Sequence, residues 1–209
     1  DFSHHGTDSV LHVGNDLAVT DAVRVQTGLA LVHTRRDVAV TWPSTTGRID
    51  EAQWDYAPRI GFTWQASSQM TWFGNLSRSV ETPHPWSMIW GSNLYFPAGN
   101  GPSTGRQRAP VDLDNQTATT LELGARGDSV VGRWEVAAYH AIVRHELLSV
   151  EISPVPNLVV AESNASGTVH RGLEAALDST LWERDGDRLS LRQAYTFSDF
   201  HYRDDARGG

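Results

Sequence analysis

The sequence predicts an all-β chain of long antiparallel strands, a membrane barrel in preference to a soluble sandwich. Three observations carry this. Side chains alternate apolar and polar with period two along strand after strand, short connections alternate with long ones, and no segment sustains a helical period. Composition agrees: the 209 residues include eight Trp and 18 Gly, which suits β architecture with aromatic girdles or sugar-stacking faces.

The first strand places Leu11, Val13, Leu17 and Val19 opposite His12, Gly14, Asp16 and Ala18. The next sets Val23, Val25, Thr27, Leu29 and Leu31 against Arg24, Gln26, Gly28 and Ala30. Ile60, Phe62 and Trp64 oppose Arg59, Gly61, Thr63 and Gln65, and Leu121, Leu123 and Ala125 oppose Glu122, Gly124 and Arg126. Val169, Leu173, Ala175, Leu177 and Leu181 oppose His170, Gly172, Glu174, Asp178 and Thr180, with Arg171 the exception. Leu189, Leu191, Tyr195 and Phe197 oppose Ser190, Arg192, Thr196 and Ser198. Two less regular strands are expected over Met70 to Val80 and Arg133 to Val150.

Tight turns are expected at Thr20 to Ala22, Ala66 to Gln69, Gly127 to Gly132 and Glu183 to Asp187, all at one end of the strands. Longer loops are expected over Thr41 to Tyr56, Glu81 to Gln116 and Glu151 to Ser163. Short turns at one end and long loops at the other is the plan of an outer-membrane barrel, whereas a sandwich mixes its loop lengths. Parity alone does not choose, because the apolar face is the inside of a sandwich and the outside of a barrel. The recurring charges on the polar face, Asp16, Arg24, Arg59, Glu122, Arg126, Glu174, Asp178 and Arg192, with His170 beside them, suit a wet lumen.

Seventeen Lys+Arg against 25 Asp+Glu give a formal charge of -8, which argues against general nucleic-acid binding. At 39% hydrophobic and 20% charged residues the chain is too apolar for disorder. No apolar run approaches the roughly 18 to 20 residues of a membrane helix. Cysteine is absent, which excludes disulfides, zinc-thiolate sites, iron-sulfur clusters and thiol nucleophiles. Asp1 to Gly6 carry no targeting pattern, so such a segment was removed or the chain is an interior piece.

From Leu113 the chain reads LDNQTATTLELGARGDSVVGRWEVAAYHAIVRHELLSVEI, followed by NASGTVHRGLEAAL from Asn164 and LSLRQAYTFSDFHYRDD from Leu189. These segments, with GFTWQASSQMTWFGNLSRSVETP from Gly61, resemble the barrel of a TonB-dependent outer-membrane receptor. The resemblance rests on E-L-G-x-R-G before a tight turn, W-x-x-x-A-x-Y leading to R-x-E-L, N-A-x-x-T-x-x-x-G-x-E, and Y-T-F. It covers Ala57 to Asp205 well and the first 56 residues by strand pattern only. It implies an N-terminal plug inside a barrel of about twenty-two strands. Residues 1–209 with about eight strands therefore read as a partial barrel domain, with the plug and remaining strands outside the chain. No TonB-box-like segment is visible, and Asp204 to Gly209 do not form a terminal aromatic strand. A complete eight-stranded barrel is the alternative.

Candidate chemistry is sparse. His4, His5 and His12 fit loop or incidental roles better than a metal cluster, and His140 and His145 fall on opposite sides of one expected strand. No G-x-S-x-G, H-E-x-x-H, P-loop or G-x-G-x-x-G pattern occurs, so neither an enzyme nor a metal or cofactor site is expected. Asn75, Asn115 and Asn164 fit N-x-S/T, a frequent chance match. The Glu81 to Gln116 loop is the place for binding, through His84, Trp86, Trp90, Tyr95, Arg106 and Arg108. Aromatic faces and guanidinium groups suit an anionic ferric chelate, although the same aromatics also suit an interfacial belt or self-packing of the loop. Opposite charges on adjacent strands, such as Glu122, Arg126, Glu174 and Arg192, are expected to form cross-strand pairs and plug contacts.

The resemblance implies a bacterial outer-membrane receptor, not an enzyme, that imports a ferric siderophore or similar metal chelate with energy from TonB and is embedded in outer-membrane lipid. The alternatives are a small structural or adhesive barrel and a soluble Trp-rich glycan-binding sandwich.

Overall fold

A computed structural model describes residues 1–42, 45–89, 110–153 and 159–203. The chain runs β1 (Phe2–Ala18), β2 (Val23–Trp42), β3 (Thr45–Ser67), β4 (Met70–Glu81), α1 (Pro85–Ile89), β5 (Gln116–Ser129), β6 (Gly132–Arg144), β7 (Glu146–Ser153), β8 (Val159–Ala165), β9 (Thr168–Arg184) and β10 (Asp187–Tyr202). Eight strands form one sheet in the order β1-β2-β3-β4-β5-β6-β9-β10, and β7-β8 form a separate hairpin. Every pairing is antiparallel. Each of the four tight turns lies at the same end of the sheet.

Three loop boundaries differ from the sequence expectation. Thr41 to Tyr56 is not a loop: β2 and β3 remain paired from Val23↔Trp64 out to Trp42↔Thr45. Pro43, Ser44 and Gly47 are turn-forming residues, but cross-strand ion pairs join the strands on one face here, Arg35 to Asp50 at 3.2 Å and Arg48 to Asp37 at 2.8 Å. Val38, Val40 and Ile49 pack on the other face. The expected strand Arg133 to Val150 breaks at His145, whose φ of 53° ends β6 and starts a new hairpin. The expected loop Glu151 to Ser163 contributes the rest of that hairpin. The five-residue helix α1 lies in the longest loop, in a segment too short for its period to register.

Register fixes the two faces. One row across the sheet reads Trp64, Trp72, Ala125, Val136, Ala175, Tyr195. The apolar face is open: Leu121 is 48%, Leu173 51% and Phe197 52% exposed. The inner faces of a sandwich interdigitate into a core, and these residues do not. The buried cluster lies instead at the long-loop end, on the opposite face of β2, and comprises Val38, Val40, Met88, Ile89, Val111 and Leu113.

The apolar face has the dimensions of a bilayer. Trp54 and Trp64 on β3 are separated by about 33 Å of strand at about 3.3 Å per residue, or about 25 Å of height at a tilt near 40°, the height of a lipid-facing band between aromatic girdles. Beyond Trp54 the same face turns ionic, with Arg35, Asp37, Arg48 and Asp50. On β9 and β10 the change comes above Leu173 and Phe197, where Arg171 pairs with Asp199 at 2.7 Å. The tilt follows independently from register. Tyr195 shares the row of Trp64, yet the residue just above the last tight turn is Leu189, about 20 Å further along β10 and about 24 Å across the sheet, which gives a tilt of about 40°.

Candidate functional site

The Glu81 to Gln116 connection leaves β4 and enters β5 at the boundaries the sequence implies. Both of its stems fold back onto the polar face of β1, β2 and β3 rather than standing off the sheet. The ascending stem seats Pro85 over Gly6, where an added Cβ would approach Pro85 Cγ to 2.5 Å. The descending stem seats Pro110 over Gly47, where a Cβ would meet Pro110 Cδ at 2.6 Å. Val111 N donates to Met88 O at 2.7 Å and joins the stems.

A buried cation holds the ascending stem. Arg36 is 4% exposed. Its Nε donates to the Pro83 carbonyl at 2.8 Å, and its Nη1 and Nη2 donate to the Asp8 carboxylate at 2.8 and 3.2 Å. Charge-assisted bonds in this fork geometry are directional as well as strong. Thr82 Oγ1 also donates to Asp8 at 3.4 Å.

The binding residues expected in the loop divide. His84 is exposed, but its Nδ1 accepts from Trp86 N at 3.1 Å and its carbonyl accepts from Ser87 N at 2.9 Å, so it caps α1. Trp86 is 41% exposed and packs edge-on against Phe2 and His4, at centroid distances of 5.2 and 5.7 Å. This aromatic group is the exposed aromatic surface of the described part of the loop. Trp90, Tyr95, Arg106 and Arg108 lie outside the described residues.

The descending stem is acidic. Asp112 and Asp114 approach Glu51 of β3, and a hydrogen bond with Asp112, reinforced by burial and by the charges of Asp112 and Asp114, holds the Glu51 carboxyl above its ordinary 4.5. Deeper in, Asn115 Nδ2 donates to Asp55 at 2.8 Å and Asn115 N donates to Gln53 Oε1 at 3.2 Å. Arg78 pairs with Asp55 at 3.2 Å and lies over the Tyr56 ring at 4.5 Å. Asn115 Oδ1 is buried without a hydrogen-bond partner.

Arg59, Glu122, Arg126, His170, Glu174, Asp178 and Arg192 all share the polar face by register. Their pairing is thinner than expected. Arg192 reaches Asp178 at 3.5 Å, and His170 lies 3.5 Å from Glu146, hydrogen-bonds Thr168 and stacks on Phe200. Arg126 lies over the Phe73 ring, 5.8 Å from its centroid. Glu122, Arg126 and Glu174 form no ion pair among the described residues: Glu122 stands between Asn75 and Tyr139 and Glu174 between Ala137 and Thr196, while Arg126, although opposite Glu135, turns over Phe73. Arg59 crosses Gly28, where an added Cβ would come within 2.7 Å of Arg59 Nε.

Comparison with known proteins decides the family. The family model "TonB dependent receptor-like, beta-barrel" matches residues 1–209. The chain belongs to that family. TonB-dependent receptors of this family are outer-membrane transporters, not enzymes, so the open apolar face of the sheet is the lipid side. No curated protein matches the chain. Among solved structures it resembles the copper transporter OprC, with 12% identity and a TM-score of 0.65 over 94% of this chain and 29% of that one. It also resembles the alcaligin outer-membrane receptor FauA from Bordetella pertussis, with 12% identity and a TM-score of 0.62 over 96% and 31%. The ferric yersiniabactin uptake receptor FyuA from Yersinia pestis gives 12% identity and 0.62 over 96% and 28%. These likenesses establish the fold. The chain spans about three-tenths of the length of each of these receptors.

Sequence reasoning missed Gly6, Asp8, Arg36, Gly47 and Asn164 as determinants of the loop's position. Asp8 and Arg36 share one face of adjacent strands, but only the unforeseen length of the β2-β3 hairpin brings them beside the loop.

Proposed function

We propose that this TonB-dependent receptor barrel contributes the outer-membrane wall and one binding loop of an active importer for a ferric siderophore or related metal chelate. The observation that carries the reading is the seating of the β4-β5 loop on the polar face at the long-loop end, which holds Trp86 with Phe2 and His4 at the mouth of the lumen. That end is extracellular and the tight turns are periplasmic in this reading, as in outer-membrane barrels generally. Stacking on these rings suits the catechol or heteroaromatic parts of a chelate, and Arg106 and Arg108 supply cations for its negative charge. The similarity to FauA, an alcaligin outer-membrane receptor, and to FyuA, a ferric yersiniabactin uptake receptor, supports that class of ligand.

Arg59, Glu122, Arg126, His170, Glu174, Asp178 and Arg192 face the lumen in this proposal. The carboxylates left unpaired, Glu122 and Glu174, meet the plug, which together with the remaining strands lies outside residues 1–209. TonB acts through that plug, and no bond of the ligand is broken. The test is uptake of a panel of ⁵⁵Fe-loaded siderophores by cells expressing the full-length protein, with and without functional TonB. TonB-dependent uptake of at least one chelate supports the proposal. Uptake equal to that of empty-vector cells across the panel, with the protein folded in the outer membrane, rejects it.

A further inference from the structure

Asn164 reaches out of β8 and clasps the neighbouring loop. Its Oδ1 accepts from Asp114 N at 2.8 Å while its Nδ2 donates to Asp114 O at 3.0 Å and to His145 O at 2.8 Å. One side-chain amide thereby pairs reciprocally with the descending stem of the β4-β5 loop and also closes the root of the β7-β8 hairpin. A second link runs beside it: Leu147 N donates to Gln116 Oε1 at 2.8 Å, and Gln116 Nε2 donates to Glu81 at 2.9 Å. Leu147 also packs against the buried cluster that holds both stems. The hairpin leaves the sheet at His145, where the left-handed φ of 53° decouples it from β6. Among the described residues its hold on the rest of the chain passes through these contacts, through the approach of β8 to α1, and through Glu146, which accepts from Thr168 and lies 3.5 Å from His170.

We propose that Asn164 is the joint that couples the β7-β8 hairpin to the β4-β5 loop, so that the two connections respond to a bound molecule as one body. The inference rests on the reading of the long-loop end as the ligand face, and it adds a positioning residue and a route of communication. Residues of two of the family-like segments, L-D-N from Leu113 and N-A from Asn164, thereby meet, an amide side chain on one side and the Asp114 peptide group on the other.

Hydrogen exchange of the full-length protein in detergent, read by mass spectrometry over residues 110–116 and 146–153, tests the coupling. Gly47→Val drives a side chain into Pro110 and displaces the descending stem. With Asn164 present, exchange should rise in both segments, by roughly tenfold for the loss of one or two hydrogen bonds. In an Asn164→Ala background the same Gly47→Val change should accelerate residues 110–116 only. Should Asn164→Ala fail to assemble, Asn164→Asp keeps the acceptor for Asp114 N, lacks both Nδ2 donors and should show the same uncoupling. If the 146–153 segment is unmoved by Gly47→Val, or rises equally with and without the Asn164 amide, the coupling is wrong. No ligand enters the measurement, so the outcome is independent of whether a chelate is transported.

Discussion

Arg36 Nε donates a 2.8 Å hydrogen bond to the carbonyl oxygen of Pro83, which ties a strand of the barrel wall to the base of the β4-β5 loop. The same guanidinium grips Asp8, whose side chain is 45% exposed, while Arg36's is 5% exposed. Removing the two partners is therefore not equivalent. Asp8→Ala leaves a buried cation without its counter-charge and should cost about 2 to 4 kcal/mol of loop docking, toward the low end because Asp8 is partly wet. Arg36→Met keeps the packing stem and strands only a half-exposed carboxylate and one carbonyl, so it should cost about 1 to 2 kcal/mol. Hydrogen exchange over residues 82–89 reads the difference. Arg36→Met loosening the segment more than Asp8→Ala would reverse the assignment of which group needs the other.

The lipid-facing band predicts a depth-dependent penalty. Ile60 lies near the middle of the span between the Trp54 and Trp64 girdles, so Ile60→Arg should destabilise the folded receptor by about 2 to 4 kcal/mol. Leu173 lies only one outward position from the Arg171–Asp199 pair, so Leu173→Arg should cost about 1 kcal/mol, the value near an interface. Glu174→Gln, on the polar face, should be close to neutral in the plug-free barrel. Denaturant unfolding in lipid vesicles gives the order. Equal penalties for Ile60→Arg and Leu173→Arg would contradict the boundary drawn at Arg171.

These outer-face residues were legible in the sequence because lipid imposes a strict period of two, and every residue of a strand votes on it. Arg171, the one exception to that parity, marks the edge of the band, so its irregularity was itself a signal. The long-loop end was less legible. There β2 and β3 no longer face lipid on one side, and Val38 and Val40 turn apolar on the face that carries Arg24 and Gln26 lower down. The alternation therefore inverts within one strand, and Thr41 to Tyr56 loses its period. Gly6 and Gly47 carry no local sign that a proline distant in sequence will rest on each. The group formed by Trp86 with Phe2 and His4 joins residues about eighty positions apart, a contact that only the register of β1, β2 and the loop stem creates.

The proline seats predict a matched pair of effects. Gly6→Ala and Gly47→Ala each place a methyl within about van der Waals overlap of Pro85 or Pro110, and overpacking of this kind costs about 1 to 3 kcal/mol. Gly6→Ala should loosen residues 82–89 and Gly47→Ala residues 110–115, each leaving assembly of the eight-stranded sheet intact. Limited proteolysis of the folded receptor separates the two outcomes. Identical cleavage patterns for both variants and the parent would mean that neither contact holds its stem.

The last prediction concerns pH. The Glu51 carboxyl is held above its ordinary 4.5 chiefly by its hydrogen bond to Asp112, then by burial and the neighbouring charges of Asp112 and Asp114. A raised folded value means that the docked stem binds the proton more tightly than the unfolded chain does. The stabilisation is thus complete below 4.5 and disappears as pH rises through the raised value. Above that point three carboxylates face one another between β3 and the descending stem. Glu51→Gln retains a donor toward Asp112 and carries no charge, so it should dock the stem more firmly than the parent at neutral pH. Below pH 4.5 the two proteins should converge. Exchange protection over residues 110–115, corrected for the intrinsic pH dependence of amide exchange, provides the measurement. Protection in the parent should fall as pH rises from 4.5 toward neutrality, whereas Glu51→Gln should hold it level. Parallel profiles for the two proteins would show that the proton shared with Asp112 has no part in seating the loop.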